Sequence, residues 1–171
     1  MLIIMKKLII GLFVFALTTS LYAQDPKIEL LDEVVLVNNY KYLSSTNASD
    51  MPIEADQLQI KTASFDIKTL DIYADEYDYY EVYFIIPEGK ILATYDSKGK
   101  IIRTAEKYKR IDLPKSVLLS IVKRFPNWSI TNEVYLVKYT AGETAKKKYK
   151  LTLINGEKRI KVKVDDEGNF L

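Results

Sequence analysis

No cysteine stands anywhere in the 171-residue chain, and no histidine either. Without cysteine there are no disulfides, no thiolate metal sites, no cysteine nucleophile and no residue for lipid attachment. Without histidine, Ser-His-Asp and Cys-His catalysis are excluded, as are nearly all zinc and copper centres and the usual neutral-pH proton shuttle. HxGH-type nucleotidyl transfer falls with them. Glycine is sparse, at six residues, and no Gly-rich phosphate loop, G-x-S-x-G elbow or S-x-x-K motif occurs. Paired carboxylates are present, but no spacing sets two of them across a cleft. The expectation is a chain that is not an enzyme.

What the chain does hold is charge, tyrosine and β-branched residues. Overall it is close to neutral, at +2, with 13 tyrosines. The charge is unevenly spread: residues 24–81 carry 13 acids against 4 bases, and residues 82–171 carry 10 against 19. One half of the sequence is acidic and the other basic. Either the two halves neutralise one another, or a basic face meets an acidic partner.

The first 23 residues read as a cleavable export signal. Lys6 and Lys7 precede an apolar run at 8–17, polar Thr18, Thr19 and Ser20 follow, and Ala23 offers a cleavage point. That run is shorter than the roughly 20 residues that span a bilayer. The reading is an exported protein of a Gram-negative cell, periplasmic or secreted, with no membrane attachment after cleavage.

Part of the chain is written twice. Residues 80–102 (YEVYFIIPEGKILATYDSKGKII) align without a gap on residues 149–171 (YKLTLINGEKRIKVKVDDEGNFL) at an offset of 69. Each copy is an alternating run, a turn, a second alternating run, an Asp-x-x-Gly (Asp96 to Gly99, Asp165 to Gly168) and an apolar tail. Before the second copy, Asp112 and Pro114 open a helix whose apolar stripe is Val117, Leu118, Ile121, Val122 and Phe125. Pro126 ends it, and 130–139 alternates as a strand. Earlier, 34–43 (VVLVNNYKYL) reads as a strand from its β-branched and aromatic content. A loop at 44–50 and a weaker helix from Pro52 follow.

Residues 111–171, with their Leu-Pro helix start, Phe-Pro helix end, Tyr-led strand and closing Asp-x-x-Gly-x-aromatic, resemble the PepSY-like periplasmic domains. Those units fold like the units of the β-lactamase inhibitor protein. The resemblance reaches 80–110 through the repeat and 34–79 only loosely. It implies an α+β protein of two tandem units, residues 24–110 and 111–171, each an antiparallel sheet with a helix packed on one face. It also implies a non-enzymatic binding or inhibitor-like function towards a protein or peptide. The alternative is a calcium-responsive structural or sensor protein.

Three groups of residues are candidates for recognition. Tyr73, Tyr77, Tyr79 and Tyr80 interleave with Asp75, Glu76 and Asp78, and tyrosine gives stiff contact area with a polar tip. Asp165, Asp166 and Glu167 set three carboxylates beside a glycine turn, where calcium is the ion to consider, although the spacing is equally that of an ordinary β-turn. Arg159, Lys161 and Lys163 alternate with Ile160, Val162 and Val164, giving the last hairpin one basic face. No other cofactor is expected, and nucleic acid is not an expected partner for an exported, nearly neutral chain.

Overall fold

Alternation with period two builds most of this molecule. A computed structural model describes residues 33–46, 51–74 and 76–171; the proposed export signal and Asp75 lie outside them. Six strands, β1 (Tyr79–Ile86), β2 (Gly89–Asp96), β3 (Ile101–Lys109), β4 (Ser129–Thr140), β5 (Lys146–Asn155) and β6 (Lys158–Val164), form one antiparallel sheet in sequence order. Three helices accompany them: α1 (Glu33–Thr46), α2 (Ile53–Ala63) and α3 (Lys115–Arg124). The class is α+β.

The two hairpins of the repeat share a register. Tyr80 pairs with Tyr95 and Ile86 with Gly89 in the first; Tyr149 pairs with Val164 and Asn155 with Lys158 in the second. Every one of these positions is related by the same offset of 69. The Asp-x-x-Gly turns repeat too. Asp96 Oδ1 accepts from the amides of Lys98 and Lys100, both at 2.9 Å, and Asp165 Oδ1 accepts from those of Glu167 (3.1 Å) and Asn169 (2.8 Å). Gly99 and Gly168 follow at φ +80° and +91°, a conformation glycine adopts without penalty.

Beyond the hairpins the two halves diverge. The six strands make one continuous sheet: β3 and β4 pair from Arg103 with Thr140 to Lys109 with Val134, joining the residues on either side of the boundary expected at 110/111. The apolar tail of the first copy lengthens into β3, whereas the second copy ends on a single bridge between Val164 and Phe170. β4 precedes the second hairpin; α2 and a short 3₁₀ turn (Ile67–Thr69) precede the first.

One expected element is corrected outright. Residues 34–43 are not a strand but most of α1. Among the helix residues whose burial is described, 39–46, the inward ones are Asn39, Tyr42 and Thr46, spaced by three and four, and two of these three are polar. Asn39, 2% exposed, uses its amide fully: Nδ2 donates to the carbonyls of Ala63 (2.9 Å) and Gly99 (3.2 Å), and Oδ1 accepts from Ile101 N (2.8 Å). One side chain ties α1 to α2 and to the first Asp-x-x-Gly turn, and this packing overrides the local β propensity. The stripe on α3 is corrected as well: Val117 and Ile121 are buried, but Leu118 and Val122 are exposed.

The core lies between the helices and one face of the sheet. It is rich in tyrosine, with Tyr42, Tyr80, Tyr95, Tyr108, Tyr135, Tyr139 and Tyr149 all buried. Tyr135 stacks on Tyr149 at 4.6 Å between ring centroids and on Tyr108 at 6.0 Å, joining β3, β4 and β5. Each buried ring contributes about 1.5–3 kcal/mol through apolar burial. Trp128 is half-buried and meets Phe125 edge-on at 6.2 Å, which places it at the end of α3 as a packing residue.

Candidate binding surface

Pairing decides which side chains share a face, because directly opposed residues in an antiparallel ladder point the same way. On β1 the inward residues are Tyr80, Val82, Phe84 and Ile86. The outward ones, Tyr79, Glu81, Tyr83 and Ile85, belong to the face opposite the core.

This open face has two parallel rows. One runs Tyr83, Leu92, Ala105, Lys138, Lys146 across β1 to β5; the next runs Ile85, Lys90, Lys107, Leu136, Lys148. Lys90 therefore stands directly opposite Lys107, and Lys138 opposite Lys146. Further along, Lys150 faces Lys163. Within the described residues no ion pair reaches Lys90, Lys107, Lys138, Lys148 or Lys150. The Lys90 ammonium lies 6.0 Å from the centre of the Tyr83 ring. Tyr83, Leu92, Ala105 and Leu136 floor an open groove of about 890 Å³, and the lysines rim it.

The tyrosine-acid segment divides in two. Tyr80 is a core residue, 5% exposed, and Tyr73 stacks on it at 5.6 Å. The Tyr80 hydroxyl donates to the Ala74 carbonyl (2.6 Å) and accepts from the Ala74 amide (2.9 Å), pinning the segment to β1. Tyr80 thus belongs to the core, and Tyr73 lies half-buried against it. Tyr77 and Tyr79 are exposed, as are Glu76 and Asp78. The strand starts only at Tyr79, so Tyr77 does not share its face; it meets Tyr80 edge-on at 6.0 Å. A Tyr80→Phe variant loses both bonds to Ala74, with an expected cost of about 1–3 kcal/mol measured by urea unfolding.

At the second Asp-x-x-Gly turn the carboxylates are already engaged. Asp165 Oδ1 takes two amides, Asn169 Nδ2 bridges Asp165 Oδ2 (3.0 Å) and Glu167 Oε2 (3.3 Å), and Asp166 lies 3.7 Å from the Lys147 ammonium. Among the described residues no three acidic side chains converge as a metal-ligand set. Arg159, Lys161 and Lys163 are exposed on the outer strand β6, as the alternation predicts.

A buried acid on the core side escaped the sequence reading. Glu106 on β3 is 3% exposed. Its Oε1 accepts from the hydroxyls of Tyr42 (2.9 Å) and Thr104 (2.7 Å), and its Oε2 from Gln59 Nε2 (2.7 Å) and the Tyr108 hydroxyl (2.9 Å). Burial raises its pKa, outweighing the four donated hydrogen bonds that lower it. Burial and the adjacent carboxylate push Tyr42 and Tyr108 up as well. The group joins α1, α2 and β3.

No protein-family model matches the sequence, and no curated protein matches it. Among solved structures, a DUF2874 family protein from Bacteroides ovatus is 13% identical, with 72% of this chain and 86% of that one covered and a TM-score of 0.36. A second DUF2874 family protein, from Bacteroides uniformis, is 11% identical over 71% and 86%, with a TM-score of 0.36. A BLIP-like protein from Bacteroides fragilis is 17% identical over 56% and 67%, with a TM-score of 0.33. Among the described residues no helix is long and apolar enough to cross a membrane.

Proposed function

We propose that this chain is an exported, non-enzymatic binding protein that recognises a protein or peptide through the open face of its sheet. The observation that carries the reading is the direct opposition of like charges there: Lys90 against Lys107 and Lys138 against Lys146. Directly opposed like charges destabilise a sheet, so their presence around an apolar floor is a cost to the fold that a negatively charged partner would relieve. An apolar centre with a cationic rim suits a protein surface in which an apolar side chain is ringed by carboxylates.

Supporting this are the absence of cysteine and histidine, the export signal read at residues 1–23, and the PepSY-like pattern of residues 111–171. At the Asp165 turn the carboxylates of Asp165 and Glu167 are bonded within the turn and that of Asp166 lies beside the Lys147 ammonium, while Glu106 is buried with four donors.

A single substitution separates binding from folding. Lys107→Glu replaces an opposed lysine pair by an attractive one. It is expected to raise stability by about 0.2–1 kcal/mol while weakening capture of the partner. Pulldowns from periplasmic extract at low salt, with wild type and variant as baits, check this. A species held by wild type, released by salt and lost with Lys107→Glu supports the reading. Identical recovery by both baits, or nothing above the control, would remove it.

A further inference from the structure

The two edges of the sheet are built differently. β6 presents Lys158, Arg159, Lys161 and Lys163, the charged guard that keeps an edge from pairing with another chain. β1 has no such guard: its sequence YYEVYFII contains no lysine and no proline, it runs eight residues, and its register with β2 is unbroken from Tyr79 to Ile86. Its one charge, Glu81, is held by Arg103 at 2.8 Å.

Exposed apolar surface gathers along the same edge. Tyr79, Tyr83 and Ile85 are 60%, 60% and 72% exposed, and Ile72 and Tyr77, on the segment bonded to Tyr80, are 70% and 52% exposed. Hairpin geometry says which backbone groups are free. Ile86 and Gly89 close a two-residue turn as a bonded pair, so the even residues of β1 bond to β2, and Tyr79, Glu81, Tyr83 and Ile85 direct their N–H and C=O outward. Among the described residues none of these four takes part in a backbone bond outside the β1–β2 ladder.

We infer that β1 is a self-association edge, taking β1 of a second copy as its antiparallel neighbour across a twofold axis at Val82. In that register Tyr79 opposes Ile85 of the second copy and Glu81 opposes its Tyr83. Tyr79 meets an isoleucine and Glu81 a tyrosine, no like charges are directly opposed, and all four outward-facing residues lie at bonded positions. The lysines of the open face all sit on β2 and beyond, so pairing through β1 brings the lysine-bearing strands of two copies no closer than second neighbours. This inference is independent of the partner proposed for the open face.

The test is sedimentation equilibrium on protein purified after export, with its N-terminus defined by mass spectrometry. Wild type is expected to pass from monomer to dimer mass as concentration rises. The amides of Tyr79, Glu81, Tyr83 and Ile85 should gain hydrogen-exchange protection over the same range. The double variant Tyr79→Lys/Ile85→Lys opposes two lysines at each end of the pairing and is expected to weaken the dimer by about tenfold or more. Its unfolding curve confirms that it remains folded. Wild type that stays monomeric at its solubility limit overturns the inference, as does a dimer of unchanged affinity in the folded double variant.

Discussion

Replacing Glu106 with leucine is expected to remove at least about 4 kcal/mol of stability, because it leaves four buried donors without an acceptor at about 1–3 kcal/mol each. The donors are the hydroxyls of Tyr42, Thr104 and Tyr108 and the amide of Gln59, and they reach Glu106 from α1, α2 and β3. Leucine is of comparable size, so the loss reports polar groups left unpaired and not a cavity. Against a total of about 5–15 kcal/mol for a typical domain, such a variant sits at the edge of folding. Glutamine is the informative companion. If its NH₂ replaces Oε1, the Tyr42 and Thr104 hydroxyls can rotate to accept, and most of the network survives.

The glutamine variant also isolates the pH dependence of the acid. The folded pKa of Glu106 is raised above its unfolded value by burial, so the folded state holds its proton more tightly. The resulting stabilisation is fully present below the ordinary glutamate pKa of about 4.3 and is lost as pH rises through the folded value. Wild type should therefore lose stability relative to Glu106→Gln across that interval, and urea midpoints at several pH values measure the difference. A flat difference would mean that the carboxylate is not in its buried site. Tyr42 and Tyr108, also raised, place a second loss of stability on the alkaline side, above about pH 10.

Alanine at Gly168 is expected to cost about 2–5 kcal/mol, while alanine at Gly99 costs about 1–2. Both glycines sit at positive φ in turns with the same hydrogen bonds, so the backbone penalty is common to the two. Their surroundings are not. A Cβ at Gly168 falls 2.8 Å from the Ser116 carbonyl oxygen and 3.2 Å from Ser120 Cβ, whereas one at Gly99 meets only Ile67 Cγ1, at 3.9 Å. At Gly168 the turn or α3 must therefore move, and the bond from Ser116 Oγ to the Asp166 carbonyl (2.9 Å) moves with it. Trp128, the single tryptophan, packs on Phe125 at the end of α3, and Phe125 meets Phe170 at 5.8 Å. Its fluorescence should shift in Gly168→Ala and stay unchanged in Gly99→Ala. Equal costs at the two glycines would show that α3 does not rest on this turn.

Sequence alone determined the strands of the two hairpins, their Asp-x-x-Gly turns, the α3 region and the α+β class. These features rest on interactions a few residues long: period-two burial, a carboxylate bonding amides two and four residues on, and a glycine where only glycine is unstrained. It named Tyr73, Tyr77, Tyr79 and Tyr80 together, of which Tyr77 and Tyr79 are exposed while Tyr80 is buried with Tyr73 half-buried against it. Nothing in a tyrosine-rich run says which ring a neighbouring loop will cover.

Tertiary structure decided the rest. α1 was illegible because its inward stripe contains Asn39 and Thr46, and polar residues count as exposed until their partners are known. Glu106 was invisible for the same reason: its four donors come from positions 42, 59, 104 and 108, and no local spacing unites them. The union of both hairpins into one sheet depends on β3 meeting β4, a pairing made across α3. The opposed lysines exist only because of that pairing and of the register within it. Composition placed the positive charge in the second half of the chain; cross-strand register set it on one open face.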